Sequence, residues 1–118
     1  MNYNLKHFAY LGDCVWELMV RKKVIDKTQK TDAMHKLTTK FVCASYQAKA
    51  IEEILPLLKE DEIDIQKRAR NLKITINKKS NPAMHALATS FEALVGYLYI
   101  NNPKRLDEIV LPLIEKAL

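Results

Sequence analysis

Residues 83–100 read AMHALATSFEALVGYLYI, and this stretch decides the fold. Apolar or small side chains occur at nearly every position, so a helix formed here has no wide polar face. The only acid in the stretch is Glu92. We therefore predict a helix that is buried on most sides and carries one carboxylate.

The rest of the chain also has a helix-forming composition, with only two Gly and four Pro in 118 residues. We predict a single all-α domain in which Thr31 is the N-cap of the second helix and the pair Asn102-Pro103 opens the last one. A polar connection is expected over 73–82. The helices are predicted at about 5–24, from Thr31 through Val42, at 45–58, at 60–72, at 83–100 and from Pro103 onwards.

Composition narrows the class of protein. No apolar run approaches the roughly 18 residues of a membrane span and no signal-peptide pattern follows Met1, so a cytoplasmic protein is expected. Cys14 and Cys43 lie in apolar runs without C-x-x-C spacing, which favours small core residues over a zinc site or a disulfide. The net charge of +5 is mild support for an acidic partner.

Helix one contains a second unusual acid. Between Phe8 and Val20 the only charges are Asp13 and Glu17, four residues apart and so on one helix face. Gly12 and Gly96 lie inside predicted helices, where each costs about 1 kcal/mol relative to Ala. Close approach of two backbones is the usual compensation. Helices one and five are therefore predicted to cross at Asp13 and Glu92.

Four environments for Glu92 stay open from the residues alone. It reaches solvent, it takes a proton, it pairs with a base such as Arg70 or Lys73, or it binds a metal cation. Two carboxylates brought together repel each other unless a cation intervenes, and oxygen ligands suit Mg²⁺ or Mn²⁺. A hard-metal site explains the acids and the glycines together.

The segment that precedes Glu92 is strongly basic. Between Ile65 and Phe91 there is no Asp or Glu. A solvated helix face followed by a loop is one interpretation, and a surface for nucleic-acid phosphates is the other. The basic residues of this segment are Lys67, Arg68, Arg70, Lys73, Lys78, Lys79 and His85.

Two motifs resemble the ribonuclease III family. Residues 11–20, LGDCVWELMV, resemble its signature helix, and residues 90–99, SFEALVGYLY, resemble its second acidic motif. The family's usual Glu and Asp are replaced here by Ala9 and Thr89. These departures, with KRARNLK at 67–73, resemble the Mini-ribonuclease III branch in particular. The similarity covers nearly the full length, and no double-stranded RNA-binding domain is expected.

The resemblance implies the family's helical endonuclease fold and a Mg²⁺-dependent endoribonuclease specific for double-stranded RNA, with Mn²⁺ as a substitute ion. Asp13 and Glu92 would be the catalytic and metal-binding residues, Glu17 a supporting residue, and the basic residues above the RNA contacts. Tyr10 stands where the family usually has a Phe that inserts into the partner subunit of a homodimer. The implied substrate is precursor of large-subunit (23S) ribosomal RNA, cut to leave 3′-hydroxyl and 5′-phosphate ends.

Two alternatives remain at this stage. One is a catalytically inactive ribonuclease III-like domain that only binds RNA, which the depleted acidic cluster suggests. The other is a helical protein-interaction module whose acids form ion pairs and whose basic segment is ordinary surface.

Overall fold

The computed structural model describes residues 2–72 and 81–118. Within these residues the chain is helical without strands, which confirms the all-α prediction. No helix among them is both long and apolar enough to cross a bilayer. The helices are α1 (Leu5–Val24), α2 (Thr31–Val42), α3 (Ala44–Ile54), α4 (Glu60–Arg70), α5 (Pro82–Asn101) and α6 (Pro103–Ala117), and a 3₁₀ turn (Leu55–Leu57) joins α3 to α4.

Helix α5 is the centre of the fold. It packs against α1, α3, α4 and α6, so the prediction that it is buried on most sides is confirmed. Phe91, Leu94 and Val95 have no exposed surface, and they join the main hydrophobic core. Glu92 directly follows Phe91, so its carboxylate lies at the edge of the main hydrophobic core.

Most helix ends agree with the predictions, and three differ. Asn102 caps α6, since its side chain accepts a hydrogen bond from the backbone N–H of Arg105 at 3.2 Å. Thr31 is the first helical residue rather than the N-cap, a place taken by Lys30 in extended conformation. Helix α3 ends at Ile54 because the chain tightens into the 3₁₀ turn around Pro56, and α4 ends at Arg70.

Trp16 joins three helices in the core. It is fully buried, and its indole Nε1–H donates to the backbone carbonyl of Phe41 at 2.9 Å. That carbonyl lies in the last turn of α2, where carbonyls have no partner within the helix. The Trp16 ring also meets Phe91 edge-to-face, with 4.9 Å between the centroids. The interaction fixes α1 against both α2 and α5.

A buried ion pair connects α4 to α6. Glu62, whose side chain is 2% exposed, accepts hydrogen bonds at 3.0 Å from both Nε and Nη2 of Arg105. Arg105 also donates to the carbonyl of Leu57 at 2.8 Å, and the backbone N–H of Lys59 donates to Glu62. Burial acts to raise the pKa of Glu62, but the hydrogen bonds from Arg105 and Lys59 hold it below its ordinary value.

We expect Glu62→Gln to lower the free energy of unfolding by about 3 kcal/mol, because it leaves the Arg105 charge buried without its partner. The lowered pKa makes this stabilisation fully present above the unfolded value near 4.5, and it is lost as the pH falls below that value. Urea unfolding at pH 7 and at pH 3 measures both effects. Glu108→Gln is the matched control, since Glu108 is exposed and lies 4.0 Å from the same guanidinium. Equal stability of the two variants at pH 7 would contradict the expectation.

Candidate active site

The crossing of α1 and α5 depends on its two glycines. A Cβ atom on Gly12 would lie 1.7 Å from the carbonyl oxygen of Glu92, and one on Gly96 would lie 2.0 Å from the carbonyl oxygen of Phe8. No side chain can enter such a space, because the obstacle is backbone. The predicted close approach is therefore present. Because Gly12 meets Glu92 and Gly96 meets Phe8, the two helices run antiparallel.

This crossing places the carboxyl groups of Asp13 and Glu92 against each other. Burial raises the pKa of Glu92 to about 8, and both hydrogen bonding to Asp13 and the negative charge of Asp13 act in the same direction. Asp13 itself is exposed, whereas Glu92 is partly buried. Without a cation, Glu92 therefore holds its proton at neutral pH.

The ion-pair alternative for Glu92 finds no support among residues 2–72 and 81–118. No Lys or Arg in these ranges forms an ion pair with it, Arg70 included, and Lys73 lies outside them. The buried ion pair that this part of the chain does contain is Glu62–Arg105. Full solvent exposure does not apply either, since Glu92 is partly buried.

The two carboxyl groups fit a hard cation such as Mg²⁺, which uses one or two protein carboxylates and completes its coordination with water and phosphate oxygens. Burial, together with the neighbouring Asp13 carboxylate, keeps Glu92 protonated, and a divalent ion between the two groups would favour its ionised form. In the described residues no group of three His, Cys, Asp or Glu side chains comes together as a possible ligand set. Glu17 is one turn after Asp13 on α1, but its carboxylate pairs with Arg21 at 3.1 Å. The site therefore has two carboxylates rather than a larger cluster.

Small side chains occupy the neighbourhood of the missing acids. Ala9 packs against a small cluster in which Phe8 of α1 meets Ala69 of α4 and Ala93 of α5. Ala69 and Ala93 are almost completely buried, so α4 approaches the α1–α5 pair closely. This three-helix junction could not be predicted from the sequence, because an alanine at a helix position is compatible with many environments.

The junction brings the basic end of α4 against α1 and α5. Ala69 belongs to the same buried cluster as Phe8 and Ala93, and Arg68 and Arg70 flank Ala69 in the sequence. Lys67 and Arg68 are exposed, while Arg70 is partly buried. His85 is also partly buried and precedes Glu92 by seven residues on α5, which puts the two on one helix face. Lys73, Lys78 and Lys79 lie outside the described residues.

Two further side chains of α1 have informative positions. Tyr10 is 86% exposed, so it is a surface aromatic rather than a core residue. Cys14 is also exposed, and its prediction as a core residue is wrong. The next two residues, Val15 and Trp16, are buried and face the core from another side of the helix. Cys43 is partly buried at the junction of α2 and α3, where its thiol lies 3.3 Å from the hydroxyl of Ser45.

The raised pKa predicts a specific pH dependence of stability in the absence of metal. The native state holds a proton on Glu92 up to about pH 8, while the unfolded chain releases it near 4.5. The contribution of Glu92 to the free energy of unfolding is therefore fully present below pH 4.5 and is lost as the pH rises through about 8. In EDTA, we expect Glu92→Gln to remove this pH-dependent loss of stability. At pH 9 the free energy of unfolding of the variant should exceed that of the unchanged protein by on the order of 1–3 kcal/mol. Urea unfolding at pH 5 and pH 9 measures it, with the exposed Asp26→Asn as control. A Glu92→Gln variant with the same pH dependence as the unchanged protein would contradict the prediction.

Comparisons with known proteins show the family of the chain. Residues 6–103 match the model of the Ribonuclease III domain. The Mini-ribonuclease 3 of Gloeobacter violaceus is 41% identical over 107 residues, covering 91% of this chain and 79% of that protein. The Mini-ribonuclease 3 of Clostridium tetani is 41% identical over 106 residues, covering 86% and 70%. A crystal structure of a protein from Fusobacterium nucleatum superposes with a TM-score of 0.88 at 29% identity, covering 99% and 96% of the two chains. The chain belongs to the ribonuclease III family, in its Mini-ribonuclease III branch.

Proposed function

We propose that this ribonuclease III-type endoribonuclease cleaves double-stranded RNA with Mg²⁺, held by Asp13 and Glu92, and matures large-subunit (23S) ribosomal RNA precursor. The observation that carries the proposal is the contact of these two carboxyl groups across the α1–α5 crossing. A protein that used them only for structure would be expected to pair them with bases. Here the two carboxyl groups lie against each other, and burial together with this contact raises the pKa of Glu92. A bound cation would remove this unfavourable interaction.

The two acids would have distinct tasks. Glu92 is partly buried on the rigid central helix, so it fixes the position of the site, and Asp13 lies on the exposed side, where substrate arrives.

A bound Mg²⁺ would supply electrophilic activation of the scissile phosphate and would stabilise negative charge on the leaving 3′-oxygen. With Ala9 and Thr89 in place of the usual acids, we propose one ion per site. Mn²⁺ has similar ligand preferences and is expected to substitute. Glu17 would act as a support, because it adds negative charge one turn from Asp13 and engages Arg21.

The RNA backbone would be held by the basic end of α4. Lys67 and Arg68 are exposed near the end of α4, Arg70 is partly buried there, and His85 is partly buried on the Glu92 face of α5. We include Lys73, Lys78 and Lys79 on their sequence position alone. Contacts of this kind neutralise phosphates without reading sequence, so binding is expected to weaken as salt rises. A ribosomal RNA substrate would place the protein in the cytoplasm.

Cleavage assays with duplex RNA, single-stranded RNA and duplex DNA, each with and without Mg²⁺, test the proposal directly. We expect duplex RNA alone to be cut, leaving 5′-phosphate ends. Asp13→Asn and Glu92→Gln should each reduce the rate by roughly 100-fold or more while RNA binding persists. Asp107→Asn, an exposed acid of α6, is the control. Binding without any Mg²⁺-dependent cleavage would favour the inactive RNA-binding domain, and the absence of both would favour a protein-interaction module.

We propose further that two chains associate through α1. Tyr10 is 86% exposed and Leu18 is 54% exposed, and with the exposed Cys14 they form a stripe at the i, i+4, i+8 spacing of one helix face. A large aromatic with so little contact of its own is unusual on a monomer, and it suits insertion into a second copy.

Tyr10→Ala should therefore shift a homodimer towards monomer, with a rise of at least about tenfold in the dimer dissociation constant. Sedimentation equilibrium across a range of protein concentrations measures this. Leu57→Ala is the control, because Leu57 is 61% exposed and lies away from α1 on the 3₁₀ turn. Unchanged association of Tyr10→Ala would exclude Tyr10 from the interface.

A further inference from the structure

A cleft of about 520 Å³ lies between the beginning of α1 and the end of α4. Its volume is in the range of small-ligand sites. No acidic side chain contributes to its described walls. The walls combine aromatic and basic residues with an apolar floor, namely Tyr3, Lys6 and Arg68 with Phe8, Ile65 and Leu72.

Tyr3 is held in place although it is half exposed. Its ring meets His7 edge-on at a centroid distance of 6.1 Å and Phe8 at 6.2 Å. His7 is itself fixed, because it forms a reciprocal capping box with Asn4 at the start of α1. The aromatic ring is thus positioned before any ligand arrives, and 49% of the residue remains accessible.

The two basic residues of the cleft are available for a new partner. Lys6 is exposed and forms no ion pair within the part of the chain that the structure describes. Arg68 makes a 3.5 Å contact with Asp64 in which both side chains are about 60% exposed. Exposed pairs of this type are weak, so an anion can draw Arg68 into the cleft at little cost. The cleft therefore offers a stacking surface and two cations at one place.

The cleft also lies on the catalytic side of α1. Lys6 and Asp13 are seven residues apart, which is two helical turns on nearly the same face and about 10 Å along the axis. Arg68 precedes Ala69, which shares a buried cluster with Phe8 and Ala93, so this end of α4 lies against both α1 and α5. A strand that reaches the acid pair would have its neighbouring nucleotides within range of the cleft.

We propose that this cleft binds an unpaired nucleotide of the RNA, next to the duplex that is cut. The base would lie over the apolar floor and against Tyr3, and Lys6 and Arg68 would hold the adjoining phosphates. Aromatic rings beside basic residues are the usual arrangement for single-stranded nucleic acid, since stacking tolerates any base. This inference rests on the proposed function in that the ligand is RNA, and it adds that single-stranded flanks contribute to recognition.

The test compares a blunt RNA duplex with the same duplex carrying a short single-stranded tail at its 5′ or 3′ end. Binding is measured with Asp13→Asn protein so that cleavage does not interfere. Tyr3→Ala in this background should weaken binding of one tailed duplex by about fivefold or more and leave the blunt duplex unchanged. Tyr3→Phe should retain the affinity, because it keeps the ring. Tyr99→Ala is the matched control, since Tyr99 is 48% exposed and lies outside the cleft.

Equal loss on blunt and tailed duplexes, or no loss on either, would overturn the proposal. A second measurement separates it from the proposed function. Titration of the protein with a short single-stranded RNA oligonucleotide, followed by amide NMR, should shift resonances at 3–8 and 65–72. Shifts confined to other regions, or none, would overturn the cleft as a site even if duplex RNA is cut. Shifts at the cleft in a protein that cuts no duplex would support the site while refuting the proposed nuclease.

Discussion

The contact between the backbones of α1 and α5 is the constraint on which the rest of the structure depends. At Gly12 and Gly96 the two helices approach until the carbonyl oxygens of Glu92 and Phe8 occupy the space of a side chain. This distance sets where Asp13 stands relative to Glu92, and Ala9 packs nearby against the cluster that joins α1 to α4 and α5. The glycines lower helix propensity, but the packing of α5 on four other helices offsets that cost.

The features that the sequence predicted well were those with a strong periodic or compositional signal. Helix α1 has the predicted bounds, and the lone acid in an otherwise apolar α5 correctly indicated an unusual carboxylate environment. The glycine argument also predicted the crossing. Each of these predictions relies on a residue that destabilises the helix or the core unless a specific contact compensates for it. Such a residue is therefore a strong indication of that contact.

Other features could not be read from the sequence because many residues would have given the same pattern. Glu62 is one of four acids within five positions, and nothing in that run distinguishes the one that is buried against Arg105, 43 residues later. Cys14 was assigned to the core from its apolar neighbours, yet neighbours in sequence point to different sides of a helix. The cleft at Tyr3 requires the relative placement of α1 and α4, which depends on Ala69 and Ala93.

Trp16 gives the protein a natural fluorescent reporter of its own active-site geometry. It is the only tryptophan in the sequence, it is three residues after Asp13, and its indole contacts α2 through Phe41 and α5 through Phe91. Full burial should shift its emission towards short wavelength, and the hydrogen bond to a carbonyl makes the spectrum sensitive to any separation of these helices. Changes at the acid pair can thus be followed by intrinsic tryptophan fluorescence. The measurement needs neither an added label nor catalytic turnover.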